Sequence, residues 1–428
     1  RGSRRDHGDY NGGRIREMPE MLEIREKAKL ALDKPSPYGP DLDLSSYARI
    51  DARKVGGSSG SASLQMIAEQ AAKVGVYLGG SAGAGAYLQS DGSVVMRAVE
   101  ESYRDSLEVM STREALSKHP WIKKYWWGIV PVDLDKYTAL AELEWDQGYF
   151  IRVLPGSRVT LPIQSCFLIS RDNLDQNVHN LVILEPGSEA QLITGCTVHP
   201  NVRRGLHVGV SEFILREDSK LVFTMIHGWA EGMDVRPRTG VLIEDGATFI
   251  SNYVCTSPVR SLQTYPVAHC VGEDSKASFN TLIYGVGGAV IDVGSRIHLK
   301  GKGSRGEMIT RAIAAGESKI YTRGMLLGED PGSRGHLECR GLLLSDKAML
   351  HAIPELVGEA QGTELSHEAA VGKISQDQIE YLMARGLSED DATSLIVKGF
   401  LDVEILGLSG PLRDEVQRII DATTSRAI

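Results

Sequence analysis

Five cysteines carry the soft-ligand chemistry of this chain: Cys166, Cys196, Cys255, Cys270 and Cys339. Their number is odd, they are widely spaced, and none belongs to a C-x-x-C pair. That pattern excludes a disulfide framework and a self-contained zinc site. Each thiol is either a small core residue, the plainer reading for a free cysteine, or a ligand for sulfur and iron chemistry. Cys196 stands in Gly195-Cys-Thr-Val-His199, just after a predicted strand, where a thiolate can carry sulfur as a persulfide or bind iron. The densest group of metal-capable side chains is His351, Glu355, Glu364, His367 and Glu368. Imidazole and carboxylate are competent ligands for Fe(II), although solvated carboxylates and ordinarily hydrogen-bonded histidines explain the same residues. His367-Glu368 is not a zincin motif, because no second histidine follows four residues on.

Two glycine-rich runs, 55–63 (VGGSSGSAS) and 79–87 (GGSAGAGAY), invite a nucleotide-binding reading. A phosphate-binding loop needs a lysine to reach the phosphates, and neither run has one. A dinucleotide fingerprint needs G-x-G-x-x-G between a strand and a helix, and Gly83 and Gly85 supply only its first half. Both runs read as loops, and no directly bound nucleotide is expected.

The elements that must position these residues change character along the chain. Residues 14–35 read as an amphipathic helix closed by Pro35, and 64–80 and 96–118 as further helices. From about 148 to 350, short β-branched and apolar runs alternate with similar turn clusters. These are Pro155-Gly-Ser-Arg158, Pro186-Gly-Ser-Glu189, Glu217-Asp-Ser-Lys220, Glu244-Asp-Gly-Ala247 and Glu273-Asp-Ser-Lys276. Their starts lie about 27 to 31 residues apart, with looser echoes at Val293-Gly-Ser-Arg296, Gly316-Glu-Ser-Lys319 and Pro331-Gly-Ser-Arg334. A turn repeated at a near-constant period marks a repeat architecture whose units bury their apolar faces only by stacking. Stacked turn-and-strand units form a β-helix. The chain then turns helical again. Ser375-x-x-Gln378 is a capping box before Ile379, Leu382 and Met383, and Ser388-x-x-Asp391 opens a second helix with Ala392, Leu395 and Ile396 on one face. Pro411 suits the first turn of a third helix carrying Leu412, Val416, Ile419 and Ile420.

Bulk properties narrow the function classes. A net charge of −9 and 6% aromatic residues argue against nucleic-acid binding through the phosphate backbone. No run of 18 apolar residues occurs, and the opening RGSRRDHGDYNGG has no apolar core of a signal peptide. That opening, residues 1–13, reads as a tag scar or a disordered lead. Reduced cysteines point to the cytoplasm. A carbohydrate-active β-solenoid would need paired carboxylates over an aromatic groove, and the repeats are poor in aromatics.

Residues 364–400, ELSHEAAVGKISQDQIEYLMARGLSEDDATSLIVKGF, resemble the C-terminal signature of the SufB/SufD family, the scaffolds of the SUF iron–sulfur assembly system. Residues 179–200, 206–229 and 136–163 resemble the family's core, so the likeness covers roughly 120–428. The resemblance implies a right-handed parallel β-helix core flanked by N-terminal and C-terminal α-helical domains. The expected boundaries are 14–147 for the N-terminal helical region, 148–363 for the core and 364–428 for the C-terminal domain. It also implies a non-catalytic scaffold that carries a transient iron–sulfur cluster and dimerises through its core, with itself or with a paralogue. A SufC-like ABC ATPase would dock on the C-terminal helices, where Ile379, Leu382, Met383, Leu395, Ile396 and Phe400 are the expected contacts. No nucleic acid or membrane enters this picture.

By position, Cys196 matches a SufB cysteine implicated in receiving sulfur, and Cys339 one shortly before the assembly site. His351 matches a histidine close to that site, His367 a histidine of both SufB and SufD, and Glu368 a glutamate typical of SufB. These five are the expected sulfur-acceptor or cluster-binding residues, with His351, His367 and Glu368 as metal ligands. Two departures stand out. Where SufB carries D-K-C-G-A-H, this chain has Asp346-Lys347-Ala348-Met349-Leu350-His351, and Ser366 replaces a residue that is often acidic. Alanine neither binds iron nor holds a persulfide, so the chain uses other thiols or plays the SufD role as a structural partner.

Overall fold

A computed structural model describes residues 19–49, 64–77 and 83–401, together with 413, 414, 417, 418 and 421. Strands account for 46% of it and helices for 20%, so the protein is mainly β. In chain order the strands are β1 (Gly85–Ser90), β2 (Ser93–Val99), β3 (Leu107–Ser111), β4 (Tyr149–Val153), β5 (Ile163–Ile169), β6 (Asp175–Leu184) and β7 (Glu189–Val198). They continue as β8 (Arg204–Leu215), β9 (Lys220–Gly228), β10 (Gly232–Val235), β11 (Arg238–Ile243), β12 (Thr248–Cys255), β13 (Ser261–Thr264) and β14 (Val267–Cys270). The last are β15 (Lys276–Gly285), β16 (Val290–Leu299), β17 (Arg305–Ala314), β18 (Lys319–Gly328), β19 (Arg334–Leu343), β20 (Met349–Gly358) and β21 (Glu364–Lys373). The helices are α1 (Pro19–Ala31), α2 (Leu64–Ala72), α3 (Thr112–Lys118), α4 (Lys136–Leu143), α5 (Gln376–Met383) and α6 (Glu389–Phe400).

The strands stack into a β-solenoid of about eight turns with helices at both ends. One long sheet runs β2-β1-β5-β7-β9-β12-β15-β17-β19-β21, and the second contains β3, β4, β6, β8, β11, β16, β18 and β20. Apart from the antiparallel pairs β1–β2 and β3–β4, neighbours are parallel and in register. Residues of both sheets meet in one apolar interior, in which Phe213, Phe249 and Phe279 follow one another at ring distances of 5.2 and 6.0 Å. Burying each such ring contributes about 1.5–3 kcal/mol.

The repeated turn clusters make this stacking possible. Each places one residue in the left-handed region: Gly187 at φ 66°, Asp218 at 55°, Asp274 at 54° and Gly316 at 67°. Glycine and aspartate tolerate that conformation. The serine that follows is buried, and Ser188, Ser275 and Ser333 each donate to a turn carbonyl three residues back. Val293-Gly-Ser-Arg296 is an exception. It lies inside β16, and the corner of that coil is formed around Gly303 (φ 67°) instead.

The N-terminal region is less helical than its sequence suggests. Residues 96–118 contain the end of β2, all of β3, a 3-10 turn at Glu101–Tyr103 and only one short α-helix, α3. The alternating Val-Met-Arg-Ala and Leu-Glu-Val-Met runs are drawn into sheets by edges of the solenoid, which overrides their local preference. At the other end, the solenoid does not stop at 363. Residues 364–373 pair in register with β19 as β21. The expected helices 375–383 and 388–400 are present; Ser388 Oγ caps α6 through the Asp391 N–H, whereas Ser375 makes no side-chain cap. Residues 1–13, the run 55–63, residues 79–82 of the second glycine run, and Leu412, Val416, Ile419 and Ile420 lie outside the described residues.

Two layers of packing hold the helices to the solenoid. α1 and α4 pack with Trp126, Trp127, Leu181 and Ile214 on the second sheet. α2 and α6 pack on the outer face of the first sheet, where Ile67, Val74, Val397 and Leu401 meet Ile193, Ile226 and Ile313. No helix among the described residues is long and apolar enough to cross a membrane.

Candidate functional site

Parallel, in-register stacking turns one position per coil into a straight row. Cys196 of β7 pairs with His227 of β9, and His227 pairs with Cys255 of β12. Adjacent strands lie about 4.8 Å apart, so an imidazole stands between two thiols on the interior face. All three residues are buried. Tyr253 OH is 2.8 Å from His227 Nδ1. Behind the row, His207 Nδ1 lies 3.0 Å from Gln176 Oε1, and its ring lies 6.3 Å from that of His227. Trp229 packs against both imidazoles, with ring centroids 5.0 and 5.3 Å away.

No fixed charge stands in this row, and its protonation follows from burial. Desolvation pushes the Cys255 thiol up to about 12 and raises Cys196 well above its ordinary value. The same effect lowers His207 to about 3 and holds His227 well below its usual value. At neutral pH the row is therefore thiol, imidazole, thiol, all uncharged. A thiol is a poor nucleophile and a poor metal ligand; these groups become reactive once water or a charged ligand reaches them.

The other expected residues sit at the far end of the solenoid. Cys339 of β19 faces the interior, and burial pushes its thiol up to about 11. It is five strand spacings from Cys196 along the sheet β7-β9-β12-β15-β17-β19, about 24 Å. The two thiols therefore cannot share a ligand within one chain. His367 of β21 pairs with Leu337 and extends an interior column beyond the last covered coil. Glu368 faces outward beside Arg340, at 3.6 Å. His351 of β20 pairs with Tyr321, its ring 6.0 Å from that side chain, between the inward-packed Leu350 and Ala352. His351, His367 and Glu368 thus point to three different faces, and all are exposed. Among the described residues, no group of three His, Cys, Asp or Glu side chains is arranged to hold a metal ion.

The last coil is uncovered. Every residue of β20 and β21 is exposed or half-buried, whereas the interior positions of β18 and β19 are closed. Next to it, α5 and α6 present apolar side chains to solvent. Met383 and Leu395 are exposed; Leu382, Ile396 and Phe400 are half-buried; Ile379 is buried. Phe400 also packs onto the solenoid.

His227 and Cys255 were not legible as site residues. Cys196 and His227 are 31 residues apart and His227 and Cys255 are 28 apart, so no constant period marks the row. The one available signal is the repeat of Cys-Thr at 196–197 and 255–256, each closing a strand.

Residues 167–400 match the family described as SUF system FeS cluster assembly, SufBD core domain. An iron–sulfur cluster assembly SufBD family protein of Methanothermobacter thermautotrophicus (strain Winter) is 45% identical over 406 residues, covering 94% of this chain and 98% of that protein. One of Archaeoglobus fulgidus is 46% identical over 353 residues, covering 82% and 94%. One of Staphylococcus aureus (strain MRSA252) is 29% identical over 343 residues, covering 79% and 73%.

Proposed function

The chain belongs to the SufBD family and has a role in iron–sulfur cluster assembly, and on that premise we propose that it is a non-catalytic scaffold on which the cluster is built. The cluster is cargo here. The observation that carries this reading is the interior row Cys196, His227 and Cys255, closed to water inside a solenoid whose last coil is open. Sulfur accepted in the row is shielded from solvent. At the open end, Cys339, His367 and Glu368 of one chain lie where a second copy or a paralogue would add its own. Mixed thiolate, imidazole and carboxylate ligation makes a cluster labile, which suits a scaffold that must release its product. A SufC-like ATPase docks on α5 and α6, with Met383 and Leu395 as the exposed contacts. Its cycle supplies the opening that the uncharged, buried thiols need.

Anaerobic reconstitution with iron and sulfide tests the assignment. With free sulfide supplied, His367→Ala is expected to lose most of the cluster absorbance of the parent chain, and Cys196→Ser is expected to lose it when sulfur is supplied only as a persulfide. Unchanged spectra in both variants reject the ligand and acceptor roles.

A second reading has specific support. Ala348 occupies the place of the SufB assembly cysteine, and Cys196 and Cys339 are too far apart to cooperate in one chain. On this reading the chain is a SufD-like structural subunit that binds the ATPase and holds no cluster. Purification with the ATPase, with mass and iron measured together, separates the two. An iron-free complex containing a second, cysteine-bearing SufBD chain favours the structural role.

A further inference from the structure

Between α4 and β4 the chain runs beside the start of β6. Asp146 N–H donates to the Asn177 carbonyl, and Asp146 Oδ2 accepts from the Asn177 N–H, both at 2.8 Å. Asp175 and Asn177, two residues apart on β6, share one face of that strand. It is the face turned away from the apolar interior, which holds Val178 and Val182. Asp175 is 2% exposed and Asn177 1%. A connecting segment and a strand thus bring two carboxyls and an amide together under cover.

The charges gathered here do not balance. Glu144, Asp146 and Asp175 act on one another, and among the described residues they pair with one cation, Arg49. Its Nη1 is 2.6 Å from Glu144 and its Nε 4.0 Å from Asp175. Asp91, also close to Asp146, has Arg171 as its own partner at 3.1 Å. Two negative charges are left uncompensated, and holding both away from water is costly.

The Asn177 side chain adds an independent signal. Neither its Oδ1 nor its Nδ2 has a hydrogen-bond partner, yet the amide bears on the Asp175 carboxyl. A buried amide without partners is rare and costly in a native interior. Carboxylate and amide oxygens are hard ligands, suited to Mg²⁺ or Mn²⁺ rather than to sulfur-rich iron chemistry. A set of three also matches Mg²⁺, which keeps several of its waters.

We propose that Asp146, Asp175 and the Asn177 amide oxygen bind a hydrated divalent cation of the Mg²⁺ or Mn²⁺ type. Asp146 Oδ2 keeps its bond to the Asn177 N–H, and Oδ1 takes the cation. The cation offsets the surplus charge and ties the segment before β4 to β6, so it fastens the N-terminal cap to the solenoid. The site is separate from the thiols and imidazoles of the interior row and of the open end. Without the cation, a proton neutralises the pair instead.

Manganese binding to the full chain tests this. The protein is stripped of metal with EDTA, dialysed and titrated with Mn²⁺ while electron paramagnetic resonance reads the free ion. A site is expected that withdraws Mn²⁺ from the free signal and returns it when Mg²⁺ is added in excess. Asp146→Asn and Asp175→Asn are each expected to weaken that site about tenfold or more. Glu217→Gln, an exposed carboxylate elsewhere, serves as the control and leaves binding unchanged. Melting curves at pH 9 give a second readout. Mg²⁺ is expected to raise the melting temperature of the stripped parent by about 3 °C or more and to leave Asp146→Asn unmoved. That variant is expected to melt above the stripped parent, so its lost binding is not a failure to fold. A free Mn²⁺ signal that the chain does not reduce, Mn²⁺ that Mg²⁺ does not displace, or binding by either variant equal to the parent's overturns the proposal. So does an equal rise with Mg²⁺ in parent and Asp146→Asn.

Discussion

Burial governs chemistry residue by residue in this protein, and its clearest effect outside the thiols is on Asp146. Desolvation pushes its carboxyl up to about 8, reinforced by Asp175, Glu144 and Asp91, and Asp175 itself rises to about 6. A carboxyl whose value is raised on folding stabilises the protein fully below its unfolded value and loses that contribution as pH rises through the folded value. The chain should therefore lose thermal stability between pH 4 and about 8, and Asp146→Asn should flatten the loss. Asparagine retains an oxygen for the Asn177 N–H, 2.8 Å away in the parent. Melting curves at pH 6 and 9 check this. The parent should fall by at least about 3 °C more than the variant, and parallel falls exclude Asp146 as the cause. At the same scale, Cys196 was legible from its local motif. His227, Cys255 and Asp146 were not, because what makes them notable is the neighbours that strand register and burial assign to them.

Elements in this fold are fixed by a few buried polar anchors and by close approaches without side chains. The segment 119–131 is held to the second sheet by Glu212, which accepts from the backbone N–H groups of Trp127, Ile129 and Val130 at 2.7–3.0 Å. His179 Nε2 is 2.9 Å from the same carboxylate, and its ring lies 3.8 Å from that of Trp126. Glu212→Ala would orphan three backbone donors, two of them buried, and should cost about 3–5 kcal/mol, read as a lower denaturation midpoint. A loss below about 1 kcal/mol would mean that water replaces the carboxylate. On the other sheet, a β-carbon on Gly195 would come within 2.4 Å of Val74 Cγ2. Gly195→Ala should therefore push the segment after α2 away from β7, costing about 1–3 kcal/mol. Protection of Val74 and Val76 amides from hydrogen exchange should fall first. The repeated turns and the last helices were readable in advance, because their φ requirements and caps are local. β3 was misread because its pairing partner β4 lies far along the chain, whereas β2 pairs with its immediate neighbour β1 in a hairpin across Asp91-Gly92, a local signal that the helical reading of 96–118 passed over.

At the scale of the whole molecule, the decisive asymmetry is between the two ends of the solenoid. Stacked coils cover one another, and a terminal coil needs a cap to hide its inner face. At the first end, β1 to β4 and the N-terminal helices provide one. At the other end, Leu356 and Val371 lie at inward-facing positions of β20 and β21, yet they are 37% and 43% exposed. No described element covers them. Apolar surface on a regular sheet end is where a second solenoid would stack. Leu356→Glu combined with Val371→Glu should therefore convert a dimer into a monomer in sedimentation velocity, with the β-sheet circular dichroism unchanged. On the proposed scaffold reading, the same variant should lose cluster in reconstitution while Cys196 still accepts sulfur, because that reading keeps the acceptor row within one chain and divides the open-end ligands between two. A parent chain that sediments as a monomer with cluster bound would place the entire assembly site within a single solenoid. A variant that remains dimeric would move the contact between copies away from this end.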